Sequence, residues 1–230
     1  MRFEERQLET GERTSVCRVE SDVWTRYYDA IGEEPRETLL IALDRRERES
    51  EGRRAEPFAV DLGCGSGRDT AELLKRGWRV LAIDSEPAGI DRLVQHVADD
   101  GDTARLQTRV ARFEDASWPV ADLVNSSYAL PFCPADSFMA VWDRIIASLL
   151  PGGRFCGQLF GDRDEWATAS KASARDWDLP PGMSFHSKED VRMLLADLDI
   201  EHLDEVDEDG TTATGDAKHW HLFHVVARKR

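Results

Sequence analysis

The chain has 230 residues, 41% of them hydrophobic and 33% charged, with 45 acidic against 30 basic side chains and a formal net charge of −15 at pH 7. That length suits one α/β domain with a substantial core and is short for two of ordinary size. So acidic a surface repels phosphate backbones and anionic lipid heads, which argues against nucleic acid and membrane as partners.

The basic cluster from Arg45 to Arg54 does not change this, because Glu47, Glu49 and Glu51 are interleaved with it and it reads as a solvated helix end. The four cysteines, Cys17, Cys64, Cys133 and Cys156, lie far apart without C-x-x-C spacing, so neither a disulfide framework nor a thiolate metal site is expected. The opening MRFEERQLET lacks the apolar run of a secretory signal, and no stretch approaches the length of a membrane span. A cytoplasmic protein is the expectation.

In chain order, helices are expected around Ser21 to Ile31 and from Pro35 to about Arg48, forming an N-terminal helical extension or lid over residues 1–50. A polar connector, Ser50 to Glu56, leads into the main domain, residues 51–230. From Phe58 the pattern becomes strand (FAVDL), helix to Lys75, strand (WRVLAI), and a helix with Ile90, Leu93, Val94 and Val97 on one stripe. Gly77 stands where the first of these helices stops, and Pro87 in the first turn of the second. Strands follow at Leu106 to Val110 and Ala121 to Asn125, then a helix from Pro134 to Leu150 and a fifth strand, Arg154 to Phe160. This alternation predicts a mostly parallel sheet covered on both faces.

Gly161 to Met183 shows no clean period. Ser187 with Asp190 three residues on opens a helix whose stripe is Val191, Leu194, Leu195 and Leu198. Ile200 to Val206 and Trp220 to Ala227 read as closing antiparallel strands, joined by the acidic loop DEDGTTATGDAK.

The chemistry concentrates in Val60-Asp61-Leu62-Gly63-Cys64-Gly65-Ser66-Gly67-Arg68-Asp69, where the first strand hands over to the first helix of the domain. Glycines at 63, 65 and 67 let the backbone turn sharply against a ligand beside free helix N–H groups. The spacing is G-x-G-x-G with Arg68 where a dinucleotide fold needs glycine, and an acid, Asp61, precedes it, which suits an ammonium group better than a pyrophosphate. Asp84 ends the second strand in the place from which an acid accepts ribose hydroxyls, and in Arg112-Phe113-Glu114-Asp115 an aromatic and an acid stand where they would flank an adenine.

Together VDLGCGSGRDT, AID, ARFED, DLVNSSYALPF and LLPGGRF resemble the ordered motifs of class I S-adenosylmethionine (SAM)-dependent methyltransferases, over about Phe58 to Gln158. The resemblance implies an α/β, Rossmann-like, seven-stranded sheet of order 3-2-1-4-5-7-6 with the last strand antiparallel and helices on both faces. It implies SAM as cofactor, with Asp61, Gly63, Cys64, Gly65 and Gly67 around the methionine portion, Asp84 and Ser85 at the ribose, and Phe113 and Glu114 at the adenine. Asn125 then falls near the sulfonium. A narrower similarity, through ALPF and FGDRDEW, is to the tellurite-resistance and thiol or oxyanion methyltransferase groups, from which the Gly210 to Lys218 loop departs.

Methyl transfer from a sulfonium is an in-line displacement that needs alignment and exclusion of water more than a dedicated base. Asn125, Tyr128 and Tyr28 are therefore positioning candidates, and Trp24, Tyr27, Tyr28, Arg36, Tyr128, Phe160, His219 and His221 are candidates to meet a small-molecule methyl acceptor. His219 and His221 share one strand face and His224 takes the other, a poor arrangement for a metal, and none is expected. His186 and His202 read as structural. The alternatives are a SAM-binding protein without transferase activity and, less consistent with Arg68, a nicotinamide-dependent oxidoreductase.

Overall fold

The computed structural model describes residues 23–49, 56–99, 103–168 and 182–230. Cys17, the expected helix start at Ser21, the connector residues 50–55 and residues 169–181 of the aperiodic segment lie outside them.

A helix over residues 23–30 (α1) is followed by α2, Glu37–Glu47. The α/β alternation then runs β1 (Phe58–Leu62), α3 (Arg68–Lys75), β2 (Arg79–Asp84), α4 (Pro87–Asp99), β3 (Leu106–Val110), β4 (Ala121–Ser126), α5 (Ala135–Ser148) and β5 (Leu149–Gly161). After it come α6 (Glu165–Thr168), β6 (Phe185–His186), α7 (Lys188–Leu194), β7 (Leu198–Thr211) and β8 (Ala217–Lys229). No helix among the described residues is long and apolar enough to cross a membrane.

The sheet order is β3-β2-β1-β4-β5-β8-β7. The first five strands are parallel, and β8 runs antiparallel to both β5 and β7. This is the expected order with one addition: β6, two residues long, pairs with the end of β5 off the main path. A pair of residues carries no periodicity, so it left no signal in the sequence.

Helices cover both faces. On one, Phe138, Val141, Trp142 and Ile145 of α5 and Val191 of α7 pack against Leu62, Ile83, Phe155 and Val225. On the other, Leu39, Ala42 and Leu43 of α2, Leu73 and Leu74 of α3, and Leu93 and Val97 of α4 pack against Ala59, Val80, Leu123 and Val226. α2 is thus part of the core layer. Val94, read with the buried stripe of α4, is 42% exposed, because the face centred on Leu93 and Val97 turns it outward.

The closing hairpin is longer than expected. Pairing runs from Leu198↔Lys229 to Thr211↔Ala217, so most of the acidic stretch Asp207 to Lys218 is strand. Its carboxylates find partners: across the hairpin the His219 ring contacts Asp207 at 2.9 Å and Asp209 at 2.8 Å, and from the turn after β5 Arg163 binds Asp207 and the neighbouring Glu205.

The Ser187 side chain accepts from the Asp190 N–H while Asp190 accepts from the Ser187 N–H, a complete capping box. Ser187→Ala should cost about 1 kcal/mol. In a domain of this size that lowers the thermal midpoint by about 2–4 °C, readable by circular dichroism.

Candidate cofactor and acceptor site

β1 ends in a turn that only glycine allows. Gly63 lies at φ 71° and Gly67 at φ 92°; a Cβ on the first would sit 2.2 Å from Ala129 Cβ, and one on the second 2.2 Å from Leu93 Cδ1. The turn is tied to β2 from two directions. The Gly63 N–H donates to the Ile83 carbonyl at 2.7 Å, and the Gly65 N–H to Asp84 Oδ2 at 2.8 Å. The other Asp84 oxygen accepts from the Glu86 N–H at 2.8 Å. Burial pushes the Asp84 carboxyl above its ordinary range, opposed by these N–H donors.

Beneath the turn lies a buried carboxylate pair. Asp61 accepts from the Thr70 hydroxyl at 2.6 Å and from Asn125 Nδ2 at 2.9 Å, and the same Asn125 nitrogen reaches Asp69 at 3.0 Å. Asp69 also accepts the Arg36 backbone N–H at 2.8 Å, which pins the start of α2 to this site. Burial first, and the Asp69 charge second, raise the Asp61 pKa to about 7. A carboxyl whose folded pKa exceeds its unfolded value of about 4 adds stability below that value and loses it as pH rises through the folded pKa. Thermal melts of the cofactor-free protein should therefore fall between about pH 4 and pH 7 from this group, and Asp61→Asn should flatten that slope.

These residues form one end of a cavity of about 740 Å³. Asp61, Gly63, Cys64, Gly65, Gly67, Asp84, Ser85, Phe113 and Glu114 all line it. Arg112 Nε donates to Glu114 Oε1 at 2.8 Å, while Glu114 Oε2 is buried without a hydrogen-bond partner among the described residues. Asn125, expected near the reacting atoms, is fully buried and does not line the cavity. It is spent as the bridge between two carboxylates.

The other end is aromatic. Trp24 of α1 reaches it, with the Trp24 and Phe132 rings 5.1 Å apart, whereas Tyr28 of the same helix packs against Gly65 at the glycine turn. Tyr128 is the non-glycine residue at positive φ, 53°, among the described residues, and the Arg36 guanidinium lies 4.4 Å over its ring. Phe160 meets Trp166 and Trp220, each at 5.9 Å.

His219 and His221 are not in this wall. His219 is exposed among Asp207 and Asp209, and His221, fully buried, accepts the Arg163 N–H on the opposite face of β8. The face that meets the cavity carries Trp220, Leu222 and His224. Strand alternation separates the two sets, but nothing local says which set meets the ligand. Phe132 and Trp166 were also not read from sequence, since they lie in a 3-10 turn (Leu130–Phe132) and a four-residue helix without amphipathic pattern.

Residues 59–153 match the family model described as a methyltransferase domain. A carboxy-S-adenosyl-L-methionine synthase from Citrifermentans bemidjiense is 32% identical over 98 residues, 40% of this chain and 40% of that protein. Ribosomal RNA large subunit methyltransferase M from Azoarcus sp. is 36% identical over 110 residues, 46% of this chain and 27% of that protein. The chain thus spans well under half of the curated relatives it matches. Among solved structures, magnesium protoporphyrin IX methyltransferase from Synechocystis PCC 6803 with bound SAH superposes with a TM-score of 0.66 at 14% identity, covering 95% of this chain and 100% of that one.

Proposed function

We infer that this chain is a SAM-dependent methyltransferase that transfers the SAM methyl group to a small-molecule acceptor, a reading supported by the methyltransferase-domain match and the strand order. The observation that carries this is the continuity of one cavity from the glycine turn to an aromatic wall. Donor and acceptor can share it with water excluded.

The cofactor end fits SAM. Asp84 faces the cavity at the end of β2, where a ribose would present two hydroxyls. The unpartnered Glu114 Oε2 suits an exocyclic amine, and Phe113 lies beside it for the ring. Asp61 and the turn backbone suit the amino acid portion. Bound there, SAM supplies an electrophilic methyl group on a sulfonium. The chain's residues orient the two partners and close around them, and α1, which brings Trp24, Tyr27 and Tyr28 to the cavity, serves as the lid.

A small acceptor is favoured over nucleic acid by the net charge of −15 and by walls built from rings. The RNA-modifying relative makes nucleic acid the rival to exclude.

Calorimetric titration with SAM, with S-adenosylhomocysteine (SAH) and with NADH as control tests the donor. Binding of both sulfur compounds, followed by methyl transfer to one of a panel of phenols, thiols, oxyanions and amines, supports the reading. Tight SAM binding with no transfer to any of them would favour a non-catalytic SAM-binding protein, and binding of NADH alone would overturn the cofactor assignment.

A further inference from the structure

His224 has no role in the cofactor site, yet its ring is held more closely than packing requires. The holding begins at Tyr128, whose backbone N–H donates to Gln158 Oε1 at 2.9 Å. An amide N–H can only donate, so the Gln158 oxygen is committed there and its NH2 faces the other way. That nitrogen lies 3.1 Å from Thr38 Oγ1 and 3.2 Å from His224 Nδ1. With one N–H given to each, Nδ1 must present its lone pair, and the ring proton resides on Nε2.

The ring sits in the cavity wall beside Tyr128, with centroids 6.2 Å apart, and Nε2 has no partner among the described residues. A second proton on Nδ1 would meet the Gln158 N–H head-on. The charged groups around the ring do not reverse this. Asp204 from β7 and Glu37 from α2 favour the imidazolium, while His202 from β7 and Arg36 from α2 oppose it, and burial, the largest influence, pushes the pKa down. The ring thus stands in the cavity wall with Nδ1 held by Gln158 and no partner on Nε2 among the described residues.

We propose that His224 is a specificity residue that gives its Nε2–H to an oxygen of the methyl acceptor, with Gln158 as the positioning residue that holds the ring in that tautomer. The acceptor class follows: a planar aromatic molecule bearing a carboxylate or phenolate oxygen. Phe132, Phe160 and Trp220 take the ring, and the Arg36 guanidinium, without an ion pair among the described residues, supplies a positive field in the same corner. His224 orients and removes no proton: the carboxylate or phenolate oxygen, already deprotonated, forms the O–CH3 bond as the S–CH3 bond of SAM breaks and SAH leaves as the neutral thioether. The proposal rests on the methyl-transfer reading only for its choice of ligand, since the tautomer is a property of the protein itself.

Long-range 15N–1H correlation spectra of the full chain read that tautomer, with His224→Gln assigning the signals by difference. The expected result is protonation at Nε2 and a titration midpoint below the ordinary histidine value. Protonation at Nδ1, or titration near the ordinary histidine value, would overturn the proposal. Gln158→Glu replaces the donor facing Nδ1 by an acceptor while still accepting the Tyr128 N–H. It should move the proton to Nδ1 and raise the pKa, and an unchanged tautomer in that variant would also sink the idea.

Benzoate, salicylate and 1-hydroxy-2-naphthoate, titrated into the SAH-loaded protein with benzylamine as the cationic control, test the ligand class. At least one of the anions should move the Nε2 resonance while benzylamine leaves it in place. No response to any of the three would overturn the acceptor assignment. If SAH fails to bind, the methyl-transfer reading fails separately, and the cofactor-free spectrum still decides the tautomer.

Discussion

Replacing Asp84 by asparagine should weaken SAM binding by about a hundredfold while leaving the fold intact. Both carboxylate oxygens already accept backbone N–H groups, from Gly65 and Glu86 at 2.8 Å each. An amide supplies one acceptor where the site has two donors, so its NH2 must oppose one of those N–H groups. The ribose would also lose its charged acceptor, and a hydrogen bond to a charged group is worth about 1.5–3 kcal/mol. The loss of one such bond sets the magnitude. Calorimetry on D84N against the parent chain, beside a thermal melt, checks both halves. An affinity within threefold of the parent would remove the ribose assignment, and a collapsed melt would show Asp84 holding the turn more than the cofactor.

The second large effect falls behind the aromatic wall of the cavity. Lys218 and Asp164 form an ion pair with side chains 1% and 0% exposed. Asp164 also accepts the Trp166 N–H at 3.0 Å and the His221 N–H at 3.2 Å. The ammonium lies 3.9 Å from the Trp220 ring centre and 4.4 Å from that of Trp166, two rings of the cavity lining.

Lys218→Met leaves the Asp164 carboxylate buried without its cation. Breaking such a pair costs about 3–5 kcal/mol, roughly 10 °C in thermal midpoint for a domain of this size. The double variant K218M/D164N should recover a large part, because the stranded charge is gone. Scanning calorimetry on the three proteins distinguishes this from simple loss of packing. If the double variant melts no higher than K218M, the charge was not the cause.

The part of the molecule legible in the sequence is the part whose signals are local. Strand and helix periods placed β1 through α5 in order, and the motif resemblance carried the strand order that the sheet shows. The glycine turn was readable because positive φ and close approach demand glycine at Gly63 and Gly67 whatever surrounds them. The Ser187 and Asp190 pair announced its helix because both partners of a capping box lie within four residues.

Contacts distant in sequence decided the rest. The acidic stretch from Asp207 looked like a loop because its neutralising partners, His219 and Arg163, stand on other segments. Asn125 looked like a residue of the reaction centre until Asp61 and Asp69, 64 and 56 positions away, claimed its amide.

The histidines of β8 make the division plain. Alternation along the strand put His219 and His221 on one face and His224 on the other, as a strand must. Which face lines the cavity depended on α2 and the Tyr128 turn closing over the side of Thr38 and Gln158. The sequence by itself determined the order of the elements and the glycine turn, since backbone preference and periodicity act over a few residues. Only the tertiary structure decided what faces the cavity, because a strand has two equivalent faces until another element packs on one of them.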